Sequence, residues 1–193
     1  MNQYDSDPEK VGALLAELKC PWYICGGWAL DLYLNRVTRE HKDIDIAVAR
    51  SDQWLVREYL RRRGWRLEKV SGGTLSPWLD GEWLELPIHG VWCRNEQHSP
   101  PFVEVLLNEI DADGFRFRRD QSIVLARHRM WFVSRSGLPA LAPEVVLLYK
   151  SSEPETNRGD FNLAVAHLSE DGRAWLRASL ARLCGAHPWL TDL

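Results

Sequence analysis

An α+β fold is what the sequence predicts, with strands and helices in one sheet-bearing unit and a small helical part at the C-terminus. Three observations predict it. Helical and strand periodicities alternate through the first 60 or so residues, the middle from Trp65 to Phe117 is rich in short apolar runs split by turn residues, and helical spacing takes over after Pro139 to Pro143.

The elements follow in order. Asp7-Pro8-Glu9 reads as an N-cap with proline in the first turn, and Val11, Leu14, Leu15 and Leu18 recur at helical spacing, so the first helix runs to about Lys19. Trp22-Tyr23-Ile24-Cys25 is too short for a helix and is bounded by Gly26-Gly27, which makes it a buried strand entering a tight turn. Trp28 to Leu34 favours helix, and the polar stretch Asn35 to Lys42 favours loop. Asp43 to Val48 alternates polar and apolar with period two, as a strand with one wet and one buried face does. Ser51 is placed to cap the next helix, which carries Trp54, Leu55 and Leu60 and stops at Gly64.

Within the sheet-rich middle the clearest strands are Trp83 to Cys93 and Phe102 to Leu107, with Gly72-Gly73, Gly81 and Pro100-Pro101 marking turns. Beyond Pro143, the segments Glu144 to Lys150, Asp160 to Leu168 and Arg173 to Leu183 read as helices. The loop Ser152 to Gly159 is the candidate mobile segment. The division expected is 1–138 for the main domain and 139–193 for a C-terminal helical cap.

Bulk properties narrow the function. A chain of 193 residues, 45% hydrophobic and 26% charged, suits an ordered globular domain. Its net charge of -3 argues against a dedicated binder of nucleic-acid backbones and for small-molecule partners. Two basic runs, Arg61-Arg62-Arg63 and Arg116 with Arg118-Arg119, are read as solvated faces ahead of a phosphate patch. The four cysteines form no CxxC pair, so zinc and a disulfide framework lack support. No apolar run reaches the roughly 18 residues that cross a bilayer, and the N-terminus is polar, so a cytoplasmic protein is expected.

The chemistry gathers between Gly26 and Asp45. Residues two apart in a strand share a face, which brings Asp43 and Asp45 together while Ile44 and Ile46 turn inward. Two adjacent carboxylates repel unless a cation lies between them, and oxygen-only ligands suit magnesium. A glycine pair at the start of a helix lets the backbone and its N–H groups approach phosphate. Neither GxxxxGK[ST] nor GxGxxG occurs.

In this order and spacing, Cys25 to Asp31 (CGGWALD) followed by Arg36 to Ile46 (RVTREHKDIDI) closely resembles the signature of the aminoglycoside and lincosamide nucleotidyltransferases, within the polymerase-beta-like superfamily. The resemblance runs over roughly residues 22 to 50. It implies a nucleotidyltransferase fold, with a mixed sheet, packed helices and a site for two magnesium ions at the sheet edge. It also implies transfer of AMP or another nucleoside monophosphate from a nucleoside triphosphate to a small-molecule hydroxyl, with Asp43 and Asp45 as metal ligands and Gly26 and Gly27 on the phosphates. The family's third acid is assigned to Glu104, an acid interrupting an apolar strand, ahead of Glu85. Glu104 is also expected to accept the hydroxyl proton.

Arg39 and Lys150 are candidate phosphate contacts, each weighed against loop support and a surface lysine, and His41 is a further candidate in the same loop. Asp31 is expected to make a structural hydrogen bond. The ten tryptophans are mostly core, with Trp78, Trp83, Trp92 and Trp131 as candidates for an acceptor pocket wall. Two readings stand beside this one: a minimal nucleotidyltransferase that modifies a protein partner, as in toxin-antitoxin pairs, and a nucleotide-binding protein without turnover.

Overall fold

The computed structural model describes residues 7–193. The polar opening stretch up to Ser6 lies outside the described residues. A mixed sheet forms the centre, in the order β4-β3-β5-β6-β2-β1-β10-β9. Its strands are β1 (Trp22–Cys25), β2 (Asp45–Ala49), β3 (Arg66–Ser71), β4 (Thr74–Pro77), β5 (Gly90–Arg94), β6 (Phe102–Ile110), β9 (Trp131–Val133) and β10 (Pro139–Leu141). The pairs β2·β6 and β1·β10 are parallel and the other neighbours antiparallel. The distal end of β6 pairs with β7 (Gly114–Phe117), which forms a hairpin with β8 (Asp120–Ala126).

Six helices accompany the strands among the described residues: α1 (Pro8–Leu15), α2 (Gly26–Leu34), α3 (Gln53–Arg61), α4 (Pro143–Lys150), α5 (Arg158–Val165) and α6 (Glu170–Leu183). None is long and apolar enough to cross a membrane. The expected α+β class with a mixed sheet and helices after residue 143 is what the chain adopts. One continuous core joins Ile24, Ile46, Val48, Val105 and Leu107 of the central strands to Leu147 and Leu148 of α4, and on to Phe161, Leu176 and Leu180.

Several elements differ from expectation. Helix α1 stops at Leu15 rather than near Lys19. Gly26 and Gly27 are the first turn of α2, with no loop between it and β1. Ser51 falls in a short 3-10 turn and caps nothing, as α3 starts at Gln53 without a side-chain cap. Because β2 is central and covered on both faces, Ile46, Ala47 and Val48 are all buried, and the expected wet face reduces to Asp45 at its start. The segment from Pro139 belongs first to the sheet, since β10 lies beside β1 with Ala140 opposite Ile24. The 138/139 division therefore runs between β9 and its neighbour β10.

Trp83 to His89 is not strand, and only Gly90 onward enters the ladder. Two buried polar side chains explain this. Arg50 Nη1 donates to the carbonyls of Leu84 (2.9 Å) and Ile88 (2.8 Å) and its Nε to Glu109 (2.6 Å), while Gln53 binds both the N–H and the C=O of Leu84. The loop's backbone is thus satisfied without a neighbouring strand. The stretch Ser152 to Asn157 is likewise stapled rather than free, by Asn157 to the Lys150 and Glu153 carbonyls and by Trp189 Nε1 to the Pro154 carbonyl.

Arg50 is the post on which the loop leading into β5 hangs. Arg50→Ala is expected to lower unfolding free energy by about 3 kcal/mol, because Glu109 and two carbonyls lose a buried charged donor. Urea unfolding monitored by tryptophan fluorescence measures this, and a loss below about 0.5 kcal/mol, the scale of an ordinary surface change, contradicts it.

Candidate active site

The parallel register of β2 and β6 sets Asp45 directly opposite Glu104. Both side chains are partly buried, and each stands over a glycine. A Cβ on Gly26 would lie 2.1 Å from Asp45 Oδ2, and one on Gly90 would lie 2.9 Å from Glu104 Oε1. Gly26 also has φ +63°, so this position excludes a side chain on both counts. The Trp92 indole, across from Glu104 on β5, donates to its carboxyl.

Asp43 stands outside β2, exposed, in the loop before it. The Glu104 N–H donates to the Ile44 carbonyl (3.0 Å), so the backbone between the two aspartates also lies along β6, and Glu104 joins them from the neighbouring strand. The charge of Asp43 bears on both other acids. Burial, then Glu104, then Asp43 push the Asp45 carboxyl up to about 7, against a smaller opposing pull from Lys150. Burial and Asp43 push Glu104 up to about 7, against the Trp92 hydrogen bond. Among the described residues, no three of His, Cys, Asp and Glu converge as they stand on a common ion position. The fit to a divalent cation rests on the Asp45–Glu104 pair: two oxygen donors whose pKa values mark an uncompensated negative charge. Glu85 is exposed in the loop held by Arg50 and takes no part in this cluster.

A cleft of about 330 Å³ opens beside Asp45, Cys25 and Gly26, bounded by Leu106 and Asn108 of β6 and by Tyr149 and Lys150 of α4. No tryptophan lines it among the described residues. Trp78 is core, Trp83 and Trp131 are exposed outside its lining, and Trp92 acts on Glu104 instead.

The other candidates sort by their partners. Asp31 is buried and structural as expected, accepting from Thr38 Oγ1 (2.5 Å) and lying 2.6 Å from His41 Nε2. Gly27 is bare because the Arg39 guanidinium and the His41 ring pack on it, at 2.6 Å from where a Cβ would stand. Arg39 spends its donors on Asp160 (Nε 3.1 Å, Nη2 3.3 Å), the Glu40 carbonyl and His41. Lys150 lines the cleft with its Nζ on Asp160 (2.7 Å) and Asn157 (3.1 Å). Burial would raise Asp160, but hydrogen bonds from Arg39 and Lys150 outweigh it and hold the carboxyl below its usual range.

Sequence reasoning missed Asp160, which joins α5 to both cations. It ranked a solvated face ahead of a phosphate patch for Arg118 and Arg119, and both line the cleft. Their place in a basic run was the available signal.

The chain is similar to several known proteins. Residues 9–83 match the model of the aminoglycoside-2''-adenylyltransferase family. The 2''-aminoglycoside nucleotidyltransferases of Escherichia coli and Klebsiella pneumoniae are each 51% identical over 37 residues, which is 19% of this chain and 21% of theirs. The matching stretch thus spans about a fifth of those relatives. The antibiotic-resistance factor ANT(2'')-Ia superimposes with a TM-score of 0.62 at 18% identity, covering 93% of this chain and 91% of the other. The lincosamide antibiotic adenylyltransferase LnuA, lincomycin-bound, gives 0.57 at 18% identity, covering 83% and 97%. The chain has the nucleotidyltransferase fold and resembles the aminoglycoside and lincosamide nucleotidyltransferases.

The raised carboxyls set a pH dependence. A carboxyl whose folded pKa lies above its unfolded value of about 4 contributes stability that is fully present below that value and is lost as pH rises through about 7. In chelator, Asp45→Asn is expected to gain at least about 3 °C in melting temperature over the wild type at pH 8 relative to pH 5. Thermal melts at both pH values measure it, and identical pH profiles for the two proteins would refute the buried charge pair.

Proposed function

We propose that this chain is a magnesium-dependent nucleotidyltransferase that moves AMP, or another nucleoside monophosphate, from a nucleoside triphosphate to a hydroxyl of a small molecule of the aminoglycoside or lincosamide kind. The observation that carries this reading is the Asp45–Glu104 pair across the two central parallel strands, to which no cation is ion-paired among the described residues. The family model spans Gly26, Gly27, Asp43 and Asp45, and ANT(2'')-Ia has been seen with adenylyl-2''-tobramycin, which supports adenylyl transfer to an antibiotic.

In this reading Asp45 and Glu104 hold the divalent metal, with Asp43 joining them from its loop. A metal held there would supply charge neutralisation and Lewis acidity toward the nucleotide's phosphates. The protein's own groups do the rest. Glu104, oriented by the Trp92 N–H and packed on Gly90, takes the proton of the acceptor hydroxyl at its carboxylate. Gly26 opens α2 at the cleft wall, so the first free N–H groups of that helix favour phosphate. Lys150 and Arg39, both tied to Asp160, act as a fixed positive support behind the site, and Lys150 also draws Asp45 toward its ionised form. Gly27 serves the same end indirectly, by admitting Arg39 and His41 beneath the helix.

Incubation with MgATP and pooled aminoglycosides and lincosamides, followed by mass spectrometry, is expected to show one nucleotidylated acceptor. Asp45→Asn and Glu104→Gln are each expected to lower the rate by about 10²-fold to 10⁴-fold, and Glu85→Gln to leave it unchanged. Transfer to no acceptor from any nucleoside triphosphate, or a fully active Glu104→Gln, would sink the proposal.

A further inference from the structure

The geometry points to Arg118 and Arg119 as a polyphosphate subsite that receives the β- and γ-phosphates of the nucleotide; the inference rests on the nucleotidyl-transfer reading above. The two arginines come from the turn between β7 and β8 and line the same cleft as Asp45, Gly26 and Lys150.

The other cations at the site are committed elsewhere. Arg39 has its donors on Asp160, Glu40 and His41, and Lys150 has its ammonium on Asp160 and Asn157. Arg118 and Arg119 form no ion pair among the described residues. Arg118 gives one N–H to His89 Nε2 (2.9 Å). His89 Nδ1 lies 2.9 Å from the Pro87 carbonyl, which can only accept, so Nδ1 carries the proton and Nε2 accepts from Arg118. His89 is thereby a neutral partner: it aims the guanidinium and leaves its charge uncancelled. Arg119 makes one long bond to the Tyr149 carbonyl (3.5 Å). A guanidinium carries five N–H donors, so most of those on the pair are left for a ligand.

Both arginines are also held in place. Arg118 lies 4.7 Å over the Tyr149 ring, whose hydroxyl is pinned to Asn108 Oδ1 (2.9 Å), and Arg119 lies over Phe117. Burial, then the neighbouring Arg118, lower the Arg119 guanidinium's affinity for its proton, and these outweigh the opposing pull of Tyr149 and of Glu153, which lines the same cleft without an ion pair to either arginine among the described residues. The cleft therefore runs from a negative end at Asp45 to a positive end at the arginines. A nucleoside triphosphate matches that polarity, with the α-phosphorus at the acids and the departing pyrophosphate at the guanidinium pair. Arg116, from the same run, is ion-paired with Asp111 (3.0 Å) and does not line the cleft.

Isothermal titration of the full chain in magnesium with pyrophosphate, ATP and adenosine tests this. Arg118→Gln and Arg119→Gln are each expected to weaken pyrophosphate and ATP by about tenfold or more, the scale of one charge-assisted hydrogen bond, and to leave adenosine unchanged. Arg116→Gln is expected to match the wild type. Arg119, the more exposed of the two, with a single long hydrogen bond, provides the variant that keeps its fold if Arg118→Gln does not, with circular dichroism melts as the check. Unchanged pyrophosphate affinity in folded Arg119→Gln, or an equal loss for adenosine and ATP, would overturn the assignment. A wild type that binds neither ATP nor pyrophosphate would instead overturn the nucleotidyl-transfer reading itself.

Discussion

Two carboxylates facing each other across adjacent central strands are the constraint around which the rest of this molecule is arranged. Asp45 and Glu104 are brought opposite by the β2·β6 register, inside strands whose other residues are core. Such a pair destabilises a fold that has no further use for it, since burial and mutual repulsion both oppose ionisation. The surroundings are built to make room for it. Gly26 and Gly90 clear the space on either side, Trp92 supplies a hydrogen bond, and the nearest cations are kept off the carboxylates by other partners.

Asp160 is the device that keeps them off. It draws Arg39 from the loop before β2 and Lys150 from the end of α4 onto one carboxylate of α5, tying the loop before β2 to the C-terminal helices at a single point behind the cleft. Without it, Lys150 would be free to neutralise Asp45 directly, and a metal would have to compete with a resident ammonium. The C-terminal helices thus contribute electrostatics as well as core. The turn after α4 is in turn held by Asn157 and by Trp189, which stacks on Phe161 at 4.3 Å.

Much of the site was legible in the sequence because its signals are local. A glycine pair after a short apolar run, and two acids flanking an isoleucine, state their own geometry within a few residues. Glu104 was legible for a related reason: an acid in an otherwise apolar strand needs a partner wherever that strand lies. Gly27 has a second reason to be bare that the sequence does not show: the Arg39 guanidinium and the His41 ring pack where its Cβ would stand. Trp83 to His89 has strand-like composition, yet its hydrogen bonds are taken by Arg50 and Gln53, whose distance in sequence gives no hint of the contact.

The sequence by itself determined the α+β class, the helix–strand–helix opening, the three late helices and the identity of the acids, since all of these follow from periodicity, capping and the cost of burying charge. Only the tertiary structure decided which acids face one another across strands, that Glu85 lies in an exposed loop, and which basic residues reach the cleft. Those outcomes depend on strand order and register. The partner of Asp45 is set by β6 lying parallel to β2, and Arg118 and Arg119 reach the cleft through the β7–β8 turn that follows β6. Pairing between segments dozens of residues apart is chosen by the packing of the whole core, and no short stretch of the chain encodes it.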